Sequence, residues 1–336
     1  MNALTQYLND VSRRFGDGWN RFWYTPIDPL PTAVLRIGVG SVAFYLIALF
    51  SLDLMQLFGS HGLLPTEAVK SITVQMYRFS YFDYIEEGLT LRAVHYAGLA
   101  ILAAYTVGLW TRVTSILSLI VFLAYFHRAL MLTSEAEPVI AMLLFYLCFA
   151  PTGECLSVDA WLRRRRAAST SQAPSHRRDP LQGRSYAAAV SIRLIQTHLS
   201  LIYFLMFIAT MQRNYVWWNG TAVWWLIART ETAMIDLTWL ANYPYVINLW
   251  TTGIVLFYIA FAILIWNRSA RPLLIALSAP FWLGLAIISG LGPFCWAMFT
   301  AGLAFVSAEQ WRACCSGCCP SAVGPSDVVP LNAKGS

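Results

Sequence analysis

The chain is laid out as long apolar runs separated by short polar ones, and the apolar runs have the length of helices. A helix rises 1.5 Å per residue, so about 20 mainly apolar residues cross the roughly 30 Å hydrocarbon layer of a membrane. Eight stretches approach that length: 33–55, 92–110, 112–132, 137–153, 190–211, 245–266, 271–289 and 291–308. The fourth is short by this measure. Only Gly290-Leu291-Gly292-Pro293 separates the last two, so they read either as two spans or as one broken segment. The pattern predicts an all-α fold, a polytopic transmembrane helical bundle of about eight spans.

The intervening segments differ in kind. Residues 1–25 read as a cytoplasmic N-terminal segment, 26–311 as the transmembrane domain and 312–336 as a disordered, cysteine-containing cytoplasmic tail. Residues 56–89 form a mixed polar and aromatic outer segment. Residues 162–188 are rich in Arg, Ser, Pro and Gln and read as a flexible cytoplasmic loop. Residues 212–244 hold Trp217, Trp218, Trp224, Trp225 and Trp239, too apolar for a free loop. They predict an interfacial or re-entrant segment after the fifth span. The first 30 residues contain Arg13, Arg14 and Arg21 but no apolar core, so the first span is expected to act as an uncleaved signal.

Charge orients the bundle. With the N-terminus inside, the inner segments hold Arg13, Arg14, Arg21, Arg112, the cluster from Arg163 to Arg184, Arg268, Arg271, Arg312 and Lys334. The outer ones hold only Lys70, Arg78, Arg213 and Arg229. This asymmetry predicts an even number of spans with both termini cytoplasmic, in the plasma (inner) membrane. Composition agrees: 58% of residues are hydrophobic and 12% charged, against about 25% charged in a soluble domain. The net charge of +6 lies between apolar spans, not on a polar domain, which argues against a nucleic-acid partner.

Ionisable groups inside a bilayer are costly and need a reason. Arg36, in the first span, either snorkels to the headgroups or anchors a bound molecule. His127 and Arg128 precede Glu135 and Glu137, where a structural ion pair is favoured over catalysis. In the fifth span Arg193 and Gln196, three apart, share a helix face, and His198 is either a core histidine or a base. Cys314, Cys315, Cys318 and Cys319 form a cluster that acylation or metal binding could use. A thiol-rich unstructured tail explains it equally well, and with no histidine beside it no metal is expected. There is no phosphate-binding glycine loop and no nucleophile elbow.

Several short motifs occur in a consistent order. They are Leu35-Arg36-Ile37-Gly38-Val39-Gly40, Gly59-Ser60-His61-Gly62-Leu63-Leu64-Pro65, Gly108-Leu109-Trp110-Thr111-Arg112 and Ser157-Val158-Asp159. Ile202-Tyr203-Phe204 follows, and then Trp217-Trp218-Asn219-Gly220. In these, residues 26–310 resemble the HTTM family, the membrane domain shared with vitamin K-dependent gamma-carboxylase. The resemblance implies a helical membrane bundle whose irregular segment after the fifth span contributes to the active region. In the carboxylase a lysine deprotonates vitamin K hydroquinone; its position falls here at Ala209 or Thr210, neither of which is an amine base. Two family histidines fall near Ala136 and at Trp282. The resemblance therefore implies the fold without carboxylase activity.

Three functions follow in order of preference. The first is a protein holding a lipid or quinone-like molecule in the bundle, with Arg36, Arg128, Arg193, Gln196, Tyr203, Trp217, Trp218 and Gly220 as candidate binding residues. The second is a membrane enzyme on a lipid-soluble substrate, with His198, Glu135, Glu137 or His127 as base. The third is a transporter, for which the Gly290–Pro293 break is the only sign. Membrane lipids are the expected partners; protein partners are left open.

Overall fold

The computed structural model describes residues 3–59, 62–63, 65–72, 80–85, 88–169, 183–213, 215–229 and 235–314. Helices α1 (Ala3–Tyr24) and α2 (Leu30–Leu49) are followed by the short α3 (Leu54–Phe58) and α4 (Thr66–Ile72). Next come α5 (Gly88–Val107), α6 (Thr111–Arg128), α7 (Ala136–Cys148) and α8 (Val158–Ser169). The second half holds α9 (Tyr186–Arg213), α10 (Tyr215–Trp218), α11 (Ala222–Ile227) and α12 (Pro244–Leu264). It ends with α13 (Arg271–Ser289), α14 (Gly292–Gly302) and α15 (Ala308–Cys314). Among the described residues there is no strand, and one isolated bridge ties Ile27 to Ser185.

Each of the eight apolar runs coincides with one helix: α2, α5, α6, α7, α9, α12, α13 and α14. Four of them, α2, α9, α12 and α13, are long and apolar enough to cross a membrane. The apolar helices 136–148 and 292–305 are shorter. Four starts share one device: α2, α12, α13 and α14 carry Pro31, Pro244, Pro272 and Pro293 in their first turns. There a missing N–H costs nothing and the fixed φ favours helix.

Helix α2 is the hub, packing on α5, α7 and α14. Its two glycines make the close approaches. A Cβ on Gly38 would lie 2.4 Å from Thr300 Cγ2, and one on Gly40 2.5 Å from Thr106 Oγ1. Helix contacts of this kind need small residues. Helix α9 packs on α12 and α7, and α13 on α14. The outward faces are apolar: Leu249, Leu256 and Ile263, spaced by seven on α12, are all exposed, as are Leu201 and Leu205 on α9. A bundle apolar both inside and outside suits lipid as its solvent.

Three sequence expectations change in detail. The Gly290–Pro293 break is a turn between two packed helices, because Gly290 takes a left-handed φ of 70° and ends α13. The basic segment expected to be a loop starts as helix: Arg163 to Arg166 lie on α8, whose first turn is capped by Ser157 Oγ accepting from Ala160 N at 2.9 Å. Residues 3–24, expected only as a cytoplasmic segment, form a helix. Arg177, Arg178, Cys315, Cys318, Cys319 and His61 lie outside the described residues.

Candidate functional site

Tyr203, on α9, is fully buried. Its ring stacks on Phe261 with centroids 4.0 Å apart, and Trp282 lies 6.0 Å away. Trp282 Nε1 donates to the Tyr203 hydroxyl at 2.9 Å. A phenol in an apolar core needs such a partner, and an indole N–H can only donate, so the pair satisfies both groups.

Trp282 is also the floor of a groove between α13 and α14. The groove has a volume of about 250 Å³, and Trp282, Ala286, Cys295 and Phe299 line it. Trp282 and Cys295 are buried, whereas Leu283 and Trp296 at the rim are exposed. It therefore opens on the outer surface of the bundle, where acyl chains would lie. Ligand sites run from about 300 Å³ upward, so this groove takes a ring or a length of chain. A second void, beside Tyr125, Phe126 and Glu137, is about 10 Å³, room for one water at most.

The catalytic candidates do not come together. His198 Nδ1 lies 2.9 Å from the Tyr146 hydroxyl of α7. Glu137 is at the other end of that helix, nine residues earlier and about 14 Å away along the axis. Its carboxylate accepts from the N–H and hydroxyl of Ser134 at 2.7 and 2.8 Å, just before the helix starts. Glu135 is exposed and His127 stacks on Phe126. None of these four lines the groove.

The binding candidates also separate. Arg193 donates to Gln196 Oε1 at 2.9 Å, and Gln196 Nε2 to the Ala304 carbonyl at 2.8 Å. Arg128 is buried at the end of α6. Trp217 packs on the core, while Trp218 is largely exposed and donates to the Met211 carbonyl. Gly220, at φ 77°, turns α10 into α11 where a Cβ would lie 2.6 Å from Asn248 Oδ1. Near the end of α9, Thr210 is buried and Ala209 exposed.

Arg36 does not snorkel. It is fully buried, donating to the carbonyls of Thr152 and Leu156, each at 2.5 Å. Gly108, at φ 80°, packs on it: a Cβ there would be 2.7 Å from Arg36 Nη1 and 2.5 Å from Ser157 Cβ. Asp159 reaches back to the same loop. One carboxylate oxygen accepts from Trp110 N at 2.9 Å, the other from the N–H and hydroxyl of Thr111 at 2.9 and 3.1 Å. Burial pushes this carboxyl up, but the hydrogen bonds from Thr111 and Trp110 and the nearby Arg163 outweigh it and hold it below its ordinary value. Three of the motif segments, around Arg36, Gly108–Arg112 and Ser157–Asp159, therefore converge on one knot that ties α2, α5, α6 and α8 together.

Compared with models of known protein families, with curated proteins and with solved structures, the chain matches none.

Sequence reasoning passed over one buried histidine. His95 on α5 is fully buried, with Nε2 2.7 Å from Ser51 Oγ and Nδ1 2.6 Å from Tyr125 Oη. The signal was available: past Arg92, which opens it, the second run is otherwise uncharged and carries His95 within its apolar stretch. Its two partners come from distant helix ends, which no local pattern encodes.

Proposed function

We propose that this chain is a polytopic membrane protein of the HTTM type, with about eight spans and cytoplasmic termini in the plasma (inner) membrane. On this reading it holds a lipid or quinone-like molecule in the groove between α13 and α14, without carboxylase activity. The observation that carries the reading is the groove itself: an apolar slot floored by Trp282 and Cys295, with the Trp282–Tyr203 pair fixing its inner wall. Such a slot selects by shape, as apolar ligand sites do. Binding is preferred to catalysis because His198, Glu135, Glu137 and His127 are dispersed away from the groove, and because Ala209 and Thr210 offer no base. The orientation rests on the arginine distribution and the family on the order of the motifs.

Photoaffinity labelling tests the site. Membranes containing the protein are irradiated with a photoactivatable short-chain quinone or a photoactivatable phosphatidylcholine. Adducts concentrated on the peptide spanning 279–299 are expected. Adducts spread evenly over the exposed faces of α9 and α12 would refute a discrete site.

A further inference from the structure

A second surface carries chemistry that the groove does not use. Arg193 on α9 is half-buried, and its guanidinium carbon lies 4.6 Å from the ring centre of Phe22 on α1. Phe22 in turn packs on Trp266, with ring centroids 5.7 Å apart. Just beyond, Arg271 Nε donates to the Ile265 carbonyl at 3.2 Å. Arg271 is close enough for its charge to bear on Arg193, and Arg268 for its charge to bear on Arg271. None of the three is paired with a carboxylate among the described residues; Asp28, which follows α1, is taken by Arg312. Half-buried cations such as Arg193 and Arg271, set beside the exposed Arg268 with no counter-charge, are unfavourable unless an anion joins them.

The helix that brings Phe22 here has an unpartnered apolar face. Tyr7, Val11, Phe15 and Trp19 recur every four residues along α1, so they form one stripe, and all are exposed. Phe15 is 70% exposed. Arg13, Arg14 and Arg21 fall off that stripe. A helix with an apolar stripe and a charged back lies in a membrane interface. The bridge between Ile27 and Ser185 holds the C-terminal end of α1 beside α9.

We infer that α1 lies in the plane of the membrane surface and, with Arg193, Arg268 and Arg271, forms a site for the phosphate headgroup of an anionic phospholipid. The stripe takes the acyl region and the guanidiniums take the phosphate, which matches their fork of donors. This site is separate from the groove and does not depend on what the groove binds.

The test uses the full-length protein in a neutral detergent. It is titrated with phosphatidylglycerol or with phosphatidylcholine of the same acyl chains, and bound lipid is read by native mass spectrometry. A basic side chain near anionic lipid is worth about fivefold in affinity. Arg193→Gln/Arg271→Gln should therefore weaken phosphatidylglycerol binding about twenty-five-fold and leave phosphatidylcholine unchanged. Should the double variant not fold, the exposed Arg268→Gln alone should lose about fivefold. Ala286→Trp, which fills the groove, should leave phosphatidylglycerol binding intact. Equal affinity of the wild type for both lipids, no loss in the arginine variants, or full competition by inorganic phosphate would each overturn the proposal.

Discussion

At the scale of the residue, the knot around Arg36 offers the clearest tests. The carboxylate of Asp159 caps the turn at Trp110 and Thr111, and its folded-state pKa lies below the ordinary value. A depressed carboxylate contributes stability that is present above its unfolded pKa and lost as pH falls through the folded one. Asp159→Ala should therefore lower stability in detergent by about 1–2 kcal/mol at pH 7. The gap to the wild type should narrow below about pH 4, the unfolded aspartate value. A gap that is constant, or wider in acid, would remove the charge from the explanation. Gly108→Ala should be worse, because it forces a side chain into a positive φ and against Arg36 and Ser157. Backbone strain alone is about 1–3 kcal/mol, so a drop well above that of the exposed, unstrained Gly253→Ala is expected in the same denaturation assay. The sequence marked Arg36 as needing a reason. It could not show that the reason was two carbonyls more than a hundred residues away.

At the scale of the element, the eight apolar runs each coincide with a helix, because burial and lipid contact impose the same helix-length runs, and four of these helices are long and apolar enough to cross a membrane. What apolar periodicity missed were elements specified by other means. Helix α8 is written in its cap, Ser157, and in Arg165 stacking over Trp161 at 4.0 Å, not in hydrophobicity. Helix α1 is amphipathic with few long apolar stretches, so composition hides it. The tryptophan-rich segment lies between these cases. Its α11 turns Ala222, Val223 and Ile227 inward onto α12 and α13, and Val223 N donates to Thr251 Oγ1 at 3.1 Å. Cysteines replacing Val223 or Ile227 should react slowly with a membrane-impermeant maleimide in intact cells. Labelling as fast as that of a cysteine at the exposed Tyr84 would show that the segment is an open loop.

At the scale of the whole molecule, the site was only partly legible. Tyr203 and the Gly290–Pro293 break were both visible in the sequence, but that Gly292 lines a groove whose floor, Trp282, is held by Tyr203 depends on how α9, α13 and α14 pack. The proposal that the chain lacks carboxylase activity rests on what occupies two positions, Ala209 and Thr210. Thr210 is buried and holds its hydroxyl on the Phe207 carbonyl at 2.7 Å. Purified protein given reduced vitamin K, labelled bicarbonate and a glutamate peptide should incorporate no label above a heat-killed control. General base catalysis is worth about 10²–10⁴-fold, so clear incorporation would mean that a base has been overlooked. Activity created by Thr210→Lys alone would instead support the family resemblance. The most direct measurement concerns the groove itself. Wild-type protein and Ala286→Trp, whose indole fills the slot between α13 and α14, are purified in parallel, and their bound apolar molecules are extracted and identified by mass spectrometry. One lipid or quinone species retained by the wild type at close to one per chain, and lost from the variant, is the predicted result; the same species in equal amount on both, or none on the wild type, would contradict it.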